Sequence, residues 1–326
     1  MKSNRNMLDV RNLRTYFYSS RGMVKAVNNV SFTIKQGEIL GIAGESGAGK
    51  TVIALSVLRL VPYPGKILTG QIFFNGEDLM HKSSKEMMSI RGAGIGMIFQ
   101  DPMSCLNPVF TIGEQLTASI LTHQKISRQE AIEKAIEMLK IVNIPDPERR
   151  LKGFQHEFSG GMKQRVMIAL ALSCNPEFLI ADNPTTALDS TIQLQFLNLI
   201  LDLRKKLGMT ILYITHDFGV VAKLCDRVAV LYAGEIIEIG SVFDVLKSPA
   251  HPYTAGLIAS TPSLGMLEKK IEAIEGKQPD LAFLPPGCKF APRCKNAAPR
   301  CLEKEVQLFE VGREGKSHLV RCLDYE

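Results

Sequence analysis

Short hydrophobic runs separated by turn signals mark the first hundred positions. Val24–Phe32 and Glu38–Ala43 each predict a strand, the second closing on a glycine-rich stretch. Val52–Leu60 is apolar and helix-compatible. Gln71–Phe74 predicts a strand ended by the turn dipeptide Asn75-Gly76, and Met97–Phe99 a short strand broken at Asp101-Pro102. From 102 to 158 the period lengthens. Ser127-Arg-Gln-Glu130 has capping-box spacing and opens a helix carrying Ala131, Ile132, Ala135, Ile136, Leu139 and Val142 on one face; Pro145 and Pro147 end it. A second helix, Met162–Cys174, follows Ser159-Gly160-Gly161. Strands return at Phe178–Ala181, Thr210–Thr215 and Arg227–Tyr232, with the helical run Ile192–Leu207 between them. This alternation predicts an α/β domain with a mostly parallel sheet and an inserted helical subdomain at about 102–175. Beyond about residue 250 periodicity fades and prolines recur from Pro249 to Pro299, so the chain is divided into 1–250 and 251–326.

At 326 residues, 45 % hydrophobic and 22 % charged, the composition is that of a globular protein and excludes disordered and fibrous classes. No run approaches the roughly 18 apolar residues of a membrane span, and the first ten residues hold no apolar signal core. The expectation is a cytosolic chain that reaches a membrane only through partners. The net charge of +6 is dispersed and there is no Trp, so nucleic acid is not expected as a partner. The seven cysteines are not dispersed. Cys105, Cys174 and Cys225 stand singly and read as small core residues, whereas Cys288, Cys294, Cys301 and Cys322 crowd the C-terminal stretch. In a cytosolic chain that crowding points to metal before disulfides.

Gly44-Glu45-Ser46-Gly47-Ala48-Gly49-Lys50-Thr51 fits the phosphate-loop pattern G-x-x-x-x-G-K-[ST], after an apolar run and before a helix. Glycines let successive N–H groups turn inward around phosphate oxygens, and the helix N-terminus adds its positive end. Lys50 is placed to reach the β- and γ-phosphates of a nucleoside triphosphate and Thr51 to ligate Mg²⁺. Phe178-Leu-Ile-Ala-Asp182 supplies an apolar strand ending in a carboxylate, whose natural partner is that Mg²⁺. Ser159-Gly160-Gly161-Met162-Lys163-Gln164-Arg165 places a second serine and glycines at a helix mouth, a second anion site in one chain.

Together these motifs closely resemble the ATP-binding subunits of ABC transporters. Residues 159–165 are similar to the signature motif, Gln100 to the Q-loop glutamine, Ala187-Leu188-Asp189 to the D-loop and His216 to the switch histidine. The resemblance implies a P-loop NTPase fold with a RecA-like core, an antiparallel β subdomain and a helical subdomain. It implies that two such domains sandwich two ATPs, each between one chain's phosphate loop and the other's Ser159, Gly160 and Gly161. It further implies Gln100 beside Mg²⁺, Asp189 beside the nucleotide, His216 at the γ-phosphate, and an adenine-stacking aromatic near the N-terminus: Phe17, with Tyr16 as fallback. At one place the pattern breaks. The family carries Glu after Asp182, and this chain has Asn183, whose amide cannot take a proton from the attacking water. A site built on this phosphate loop is therefore expected to hydrolyse ATP slowly.

The spacing of Cys288, Cys294, Cys301 and Cys322 matches neither zinc knuckles nor ferredoxin runs, so by itself it leaves Zn²⁺ and a [4Fe–4S] cluster both open. His251-Pro252-Tyr253-Thr254 and Gly287–Cys294 resemble the C-terminal extension of the oligopeptide/dipeptide importer ATPases, which implies [4Fe–4S], with Zn²⁺ as the alternative. The same resemblance implies a peripheral subunit on the cytoplasmic side of the membrane. Its implied partners are a second ATPase chain, two transmembrane permease subunits and an extracytoplasmic peptide-binding protein. The rival readings are a non-transport ABC ATPase of DNA repair or translation, which would carry long coiled-coil insertions or tandem cassettes, and a regulatory nucleotide-binding subunit, argued only by Asn183.

Overall fold

The computed structural model describes residues 5–101, 105–185, 190–261, 274–312 and 317–326. The strands are β1 Asn6–Ser19, β2 Gly22–Lys35, β3 Ile39–Ala43, β4 Gly65–Phe74, β5 Glu77–Asp78, β6 Ile95–Ile98, β7 Phe178–Asp182, β8 Thr210–Thr215, β9 Arg227–Tyr232, β10 Glu235–Ser241, β11 Phe309–Glu310 and β12 Leu319–Val320. The helices used below are α1 Lys50–Val57, α2 Ser84–Ile90, α3 Ile112–His123, α4 Arg128–Ile141, α5 Pro147–Arg150, α6 Gly160–Leu172, α7 Ser190–Leu207, α8 Phe218–Leu224, α9 Val242–Lys247 and α10 Pro252–Ala259.

The chain folds as two compact units, one spanning His81–Leu212 and the other Asn4–Met80 with Tyr213–Glu326. The second, discontinuous unit holds two sheets. In the first, β2, β1, β4 and β5 lie side by side, antiparallel, with Leu8, Leu13, Val27, Val30 and Ile34 fully buried on one face. In the second, strands run in the order β11-β12-β10-β9-β3, and β3 and β9 are parallel, with Leu40 beside Arg227 and Ala43 beside Val230. All five residues of β3 are buried, which is how a strand covered on both faces reads. β9 and β10 form a tight hairpin through Ala233 and Gly234, both at positive φ (47° and 81°), as a two-residue type I′ turn requires.

The extension beyond residue 250 shares this unit's core. Tyr253 and Phe290 are buried with Tyr232, Val230 and Ile237, and β12 pairs with β10. Tyr232, Tyr253 and Phe290 form an aromatic cluster with ring centroids 4.6–5.3 Å apart.

In the other unit, β6 and β7 are parallel, with Ile95 beside Phe178, and α3, α4 and α6 supply the helical part. The capping box expected at Ser127 is present: its hydroxyl accepts from Glu130 N–H while Glu130 accepts from Ser127 N–H. Thr111 and Glu114 repeat the device at the start of α3, a helix the sequence pattern had not marked. The helix expected at Val52–Leu60 begins at Lys50 and ends at Val57, because Arg59 turns into the left-handed region. β8 and β9 match their expected limits, and β6 begins two residues and ends one residue earlier than expected.

Candidate active site

β3 delivers the chain into the phosphate loop and α1 takes it out. Two glycines are obligatory there. A Cβ on Gly44 would lie 2.3 Å from the Leu231 carbonyl oxygen, and one on Gly49 (φ 105°) would lie 2.0 Å from that of Ala26. Both positions press backbone against backbone, which fixes the curvature of the loop. Lys50, only 5 % exposed, donates from Nζ to the carbonyls of Gly44 (2.8 Å) and Glu45 (2.7 Å), drawing the loop into a ring. Gly49 gives α1 no side-chain cap and its first turn has no acidic residue, so the helix mouth is suited to an anion. Ser46 and Gly47 are exposed on the loop, Ala48 is buried beneath it, and Thr51 is half-buried in the first turn.

The loop is also held from far along the chain. Glu45 N–H donates to the Tyr253 hydroxyl at 3.0 Å, and its carboxylate takes both arms of the Arg293 guanidinium, each at 3.0 Å. Arg293 Nη1 also donates to the Tyr232 hydroxyl (3.3 Å) and Nε to the Glu275 carbonyl (2.9 Å). Burial pushes the Tyr253 phenol well above its ordinary range, so it stays protonated. Sequence reasoning quoted Tyr253 and Arg293 for their resemblance and missed this contact.

In the same unit His216 stands exposed directly after β8. Its placement is fixed by Asp217, which caps α8 by accepting from Gly219 N–H (2.7 Å) and Val220 N–H (3.4 Å). Of the two aromatics, Tyr16 is buried and donates its hydroxyl to Asn28 (2.7 Å), which in turn donates to Glu235 (2.7 Å). Phe17 is half-exposed, with its ring packed beside Gly65.

The remaining residues lie in the other unit. Asp182 ends β7 at 2 % exposure, and Asn183 beside it donates to the Asp182 carboxylate at 3.4 Å. Asn183 sits at φ 44°, a left-handed conformation that asparagine tolerates better than most residues. Ser159 caps α6, accepting weakly from Met162 N–H at 3.4 Å, with Gly160 exposed and open space where its Cβ would be. Gly161 packs against Ile192. Buried Gln164 donates to the Pro184 carbonyl (2.8 Å), tying the Ser159 helix to the turn after Asp182. Gln100 is exposed after β6. Asp189, with Ala187 and Leu188, lies outside the described residues, as does Pro102.

The four C-terminal cysteines are half-buried free thiols. Burial raises Cys288 and Cys294 and pushes Cys322 up to about 11, so they are protonated at neutral pH. Three of their segments are tied together, because Cys288 N–H donates to the Cys301 carbonyl (2.7 Å) and Ala291 links the Cys288 carbonyl (3.1 Å) to Cys294 N–H (3.2 Å). Yet among the described residues no group of three or more His, Cys, Asp or Glu side chains is placed to hold a metal ion. The thiols are gathered, but in this conformation they do not converge as a ligand set.

Comparison with known proteins agrees with the motifs. The ABC transporter family pattern matches residues 27–186, and that of the oligopeptide/dipeptide transporter C-terminal region matches 237–301. A probable peptide ABC transporter ATP-binding protein, y4tR of Sinorhizobium fredii, is 50 % identical over 94 % of this chain and 92 % of its own length. The oligopeptide transport ATP-binding protein OppD of Bacillus subtilis is 49 % identical over 94 % of this chain and 86 % of its own. Among solved structures, the ATP-binding cassette MJ0796 in a dimeric post-hydrolysis state with ADP and Pi superposes with a TM-score of 0.66 at 28 % identity, covering 72 % of this chain and 99 % of that one. The chain belongs to the ABC transporter family of ATP-binding proteins, in the branch that carries the oligopeptide/dipeptide transporter C-terminal region.

Proposed function

We propose that this chain is an ATP-hydrolysing subunit of a peptide importer, peripheral on the cytoplasmic side of a membrane. It would act with two transmembrane permease subunits, supplied by an extracytoplasmic peptide-binding protein. The observation that carries this reading is a phosphate loop drawn into a ring by Lys50 and buttressed by Tyr253 and Arg293 of the very region that distinguishes the peptide branch. No helix among the described residues is long and apolar enough to cross a membrane, in keeping with transport through other subunits.

In this reading the nucleotide lies on the ring Gly44–Thr51. Lys50 leaves the Gly44 and Glu45 carbonyls for the phosphates, and Phe17 stacks on the base. Mg²⁺ would offset the charge of the phosphates, with Thr51, Asp182 and Gln100 as the residues to hold it. His216 meets the γ-phosphate. Ser159, Gly160 and Gly161 serve the nucleotide of a second cassette, with Asp189 beside it. A carboxylate at the end of a buried strand supports the metal role, since Asp182 closes β7 at 2 % exposure. Asn183 can orient a water but not deprotonate it, so this chain's own site is slow. The reading pairs it with a different ATPase chain whose site is completed by this chain's Ser159 loop.

Residues 251–326 form the extension, and Cys288, Cys294, Cys301 and Cys322 are proposed to bind a [4Fe–4S] cluster, with Zn²⁺ the alternative. The backbone bond from Cys288 N–H to the Cys301 carbonyl (2.7 Å), which holds two of these residues side by side, supports it, and binding would require deprotonation and local rearrangement. Anaerobic purification followed by iron, sulfide and zinc analysis decides between these, and a metal-free preparation overturns both.

The transport reading is tested by co-expressing the chain with neighbouring permease and ATPase subunits, purifying the complex and measuring ATP-dependent peptide uptake into vesicles. Association and uptake support it. A chain that hydrolyses ATP without binding any permease contradicts it and favours the non-transport rival.

A further inference from the structure

Glu45 is the one acidic side chain in the phosphate loop, and it lies where a triphosphate would bring more negative charge. All its polar groups are engaged. The backbone carbonyl accepts from Lys50 (2.7 Å), the N–H donates to Tyr253 (3.0 Å), and the carboxylate is held by two parallel bonds from Arg293. Two of these three anchors come from the C-terminal extension. Arg293 itself cannot swing away cheaply. Its side chain is 6 % exposed, Nε is bonded to the Glu275 carbonyl, and Cζ lies 5.8 and 5.9 Å from the ring centroids of Tyr232 and Phe290. A lysine could not reproduce this, since only the guanidinium fork reaches both carboxylate oxygens and the Glu275 carbonyl together.

We infer that Arg293 is a positioning residue for ATP binding: from the C-terminal extension it neutralises Glu45 and sets the phosphate loop in its receptive form. The inference rests on the nucleotide reading of the loop. Two effects follow from the geometry. Without Arg293, Glu45 presents an unbalanced charge to an incoming polyanion, a repulsion that grows with each phosphate on the ligand. The carboxylate also becomes a free acceptor for Lys50, the group that must leave the loop carbonyls to meet the phosphates. The extension is thus a working part of the nucleotide site in this chain, joined to it through a residue adjacent to Cys294.

The test uses the purified full-length chain and isothermal titration calorimetry with MgATP, ADP and AMP, alongside melting temperatures. R293A is expected to weaken MgATP about tenfold, ADP less and AMP least, as a charge effect at partly exposed sites demands. R293K, which keeps the charge but not the fork, is expected to fall between the unaltered chain and R293A. In R293A/E45Q the unbalanced charge is gone, and affinity for MgATP recovers at least about threefold relative to R293A, whatever the melting temperature does. MgATP binding unchanged in R293A, or a double variant no tighter than R293A, overturns the inference. An equal loss for AMP and ATP overturns it as well, since that is the mark of general loosening. If R293A does not fold, R293Q and R293Q/E45Q make the same comparison. Failure of the unaltered chain to bind MgATP overturns the nucleotide reading instead, so the two failures are distinct.

Discussion

Two helices in this chain begin beside glycines, at Gly49 and at Gly160, and they are finished in opposite ways. At α1 the chain completes its own site: Lys50 closes the ring and Tyr253 and Arg293 brace it. At α6 almost nothing is completed. Ser159 and Gly160 are exposed and the Ser159 cap bond is long at 3.4 Å, while the helix behind them is tied down by Gln164 to Pro184 and by Arg165 to Val142 and Gln195. The same backbone physics serves both, since each mouth offers N–H groups and a positive helix end. On the proposed reading, the first mouth is preorganised for binding by one chain, whereas the second is left open for a ligand carried by another.

The largest effect that would sharpen this contrast concerns the neighbour of Asp182. Replacing Asn183 by Glu should raise ATP turnover at this chain's own site by about 10²–10⁴, read by a phosphate-release assay on the assembled complex, because it supplies the missing proton acceptor. An unchanged rate would mean that this position does not limit hydrolysis. Next, K50A should weaken MgATP binding by about 100-fold or more in calorimetry, since charge-assisted bonds to phosphate disappear. A small loss would break the claim that the first mouth is the binding mouth.

A third effect is on stability. His251 sits within the brace, its Nδ1 accepting from Tyr253 N–H at 3.1 Å, and burial lowers its pKa to about 4. The unfolded chain therefore takes up a proton near pH 6.5 that the folded chain refuses until about pH 4. This histidine's contribution to stability is full above pH 6.5 and falls across that window by about 3 kcal/mol. Chemical denaturation at pH 7 and pH 4.5 should show the slope, and H251N should flatten it. The smallest effect belongs to the open mouth. S159A should cost about 1 kcal/mol of stability through loss of the cap. It should leave single-chain MgATP binding within about twofold while lowering turnover of the assembled complex. Equal loss in both assays would erase the distinction between the two mouths.

Much of this was legible in the sequence where local chemistry decides. The phosphate loop is readable because each residue type answers a local demand: glycine where a Cβ would strike a carbonyl, lysine where phosphates are met. Ser127 and Glu130 announced α4, and β8 and β9 matched their limits because apolar runs met turn residues at both ends. Elements with mixed patterns were not legible. β1 carries Arg11, Asn12 and Arg14 among its apolar residues and is interrupted by register shifts, so no clean alternation marks it. The brace on the loop was hidden for another reason. Tyr253 and Arg293 lie 208 and 248 residues from Glu45, and no local pattern encodes a contact that only the packed aromatic cluster creates. The extension likewise read as a separate, weakly patterned tail, whereas Phe290 and Tyr253 place it in the core of the unit that holds the phosphate loop.

The most direct test of the account is peptide uptake by the purified complex in vesicles, comparing the unaltered chain with K50A at saturating MgATP. The account predicts uptake that requires ATP and fails with K50A although the complex still assembles. Uptake that persists with K50A, or a chain that assembles with no permease at all, would contradict it.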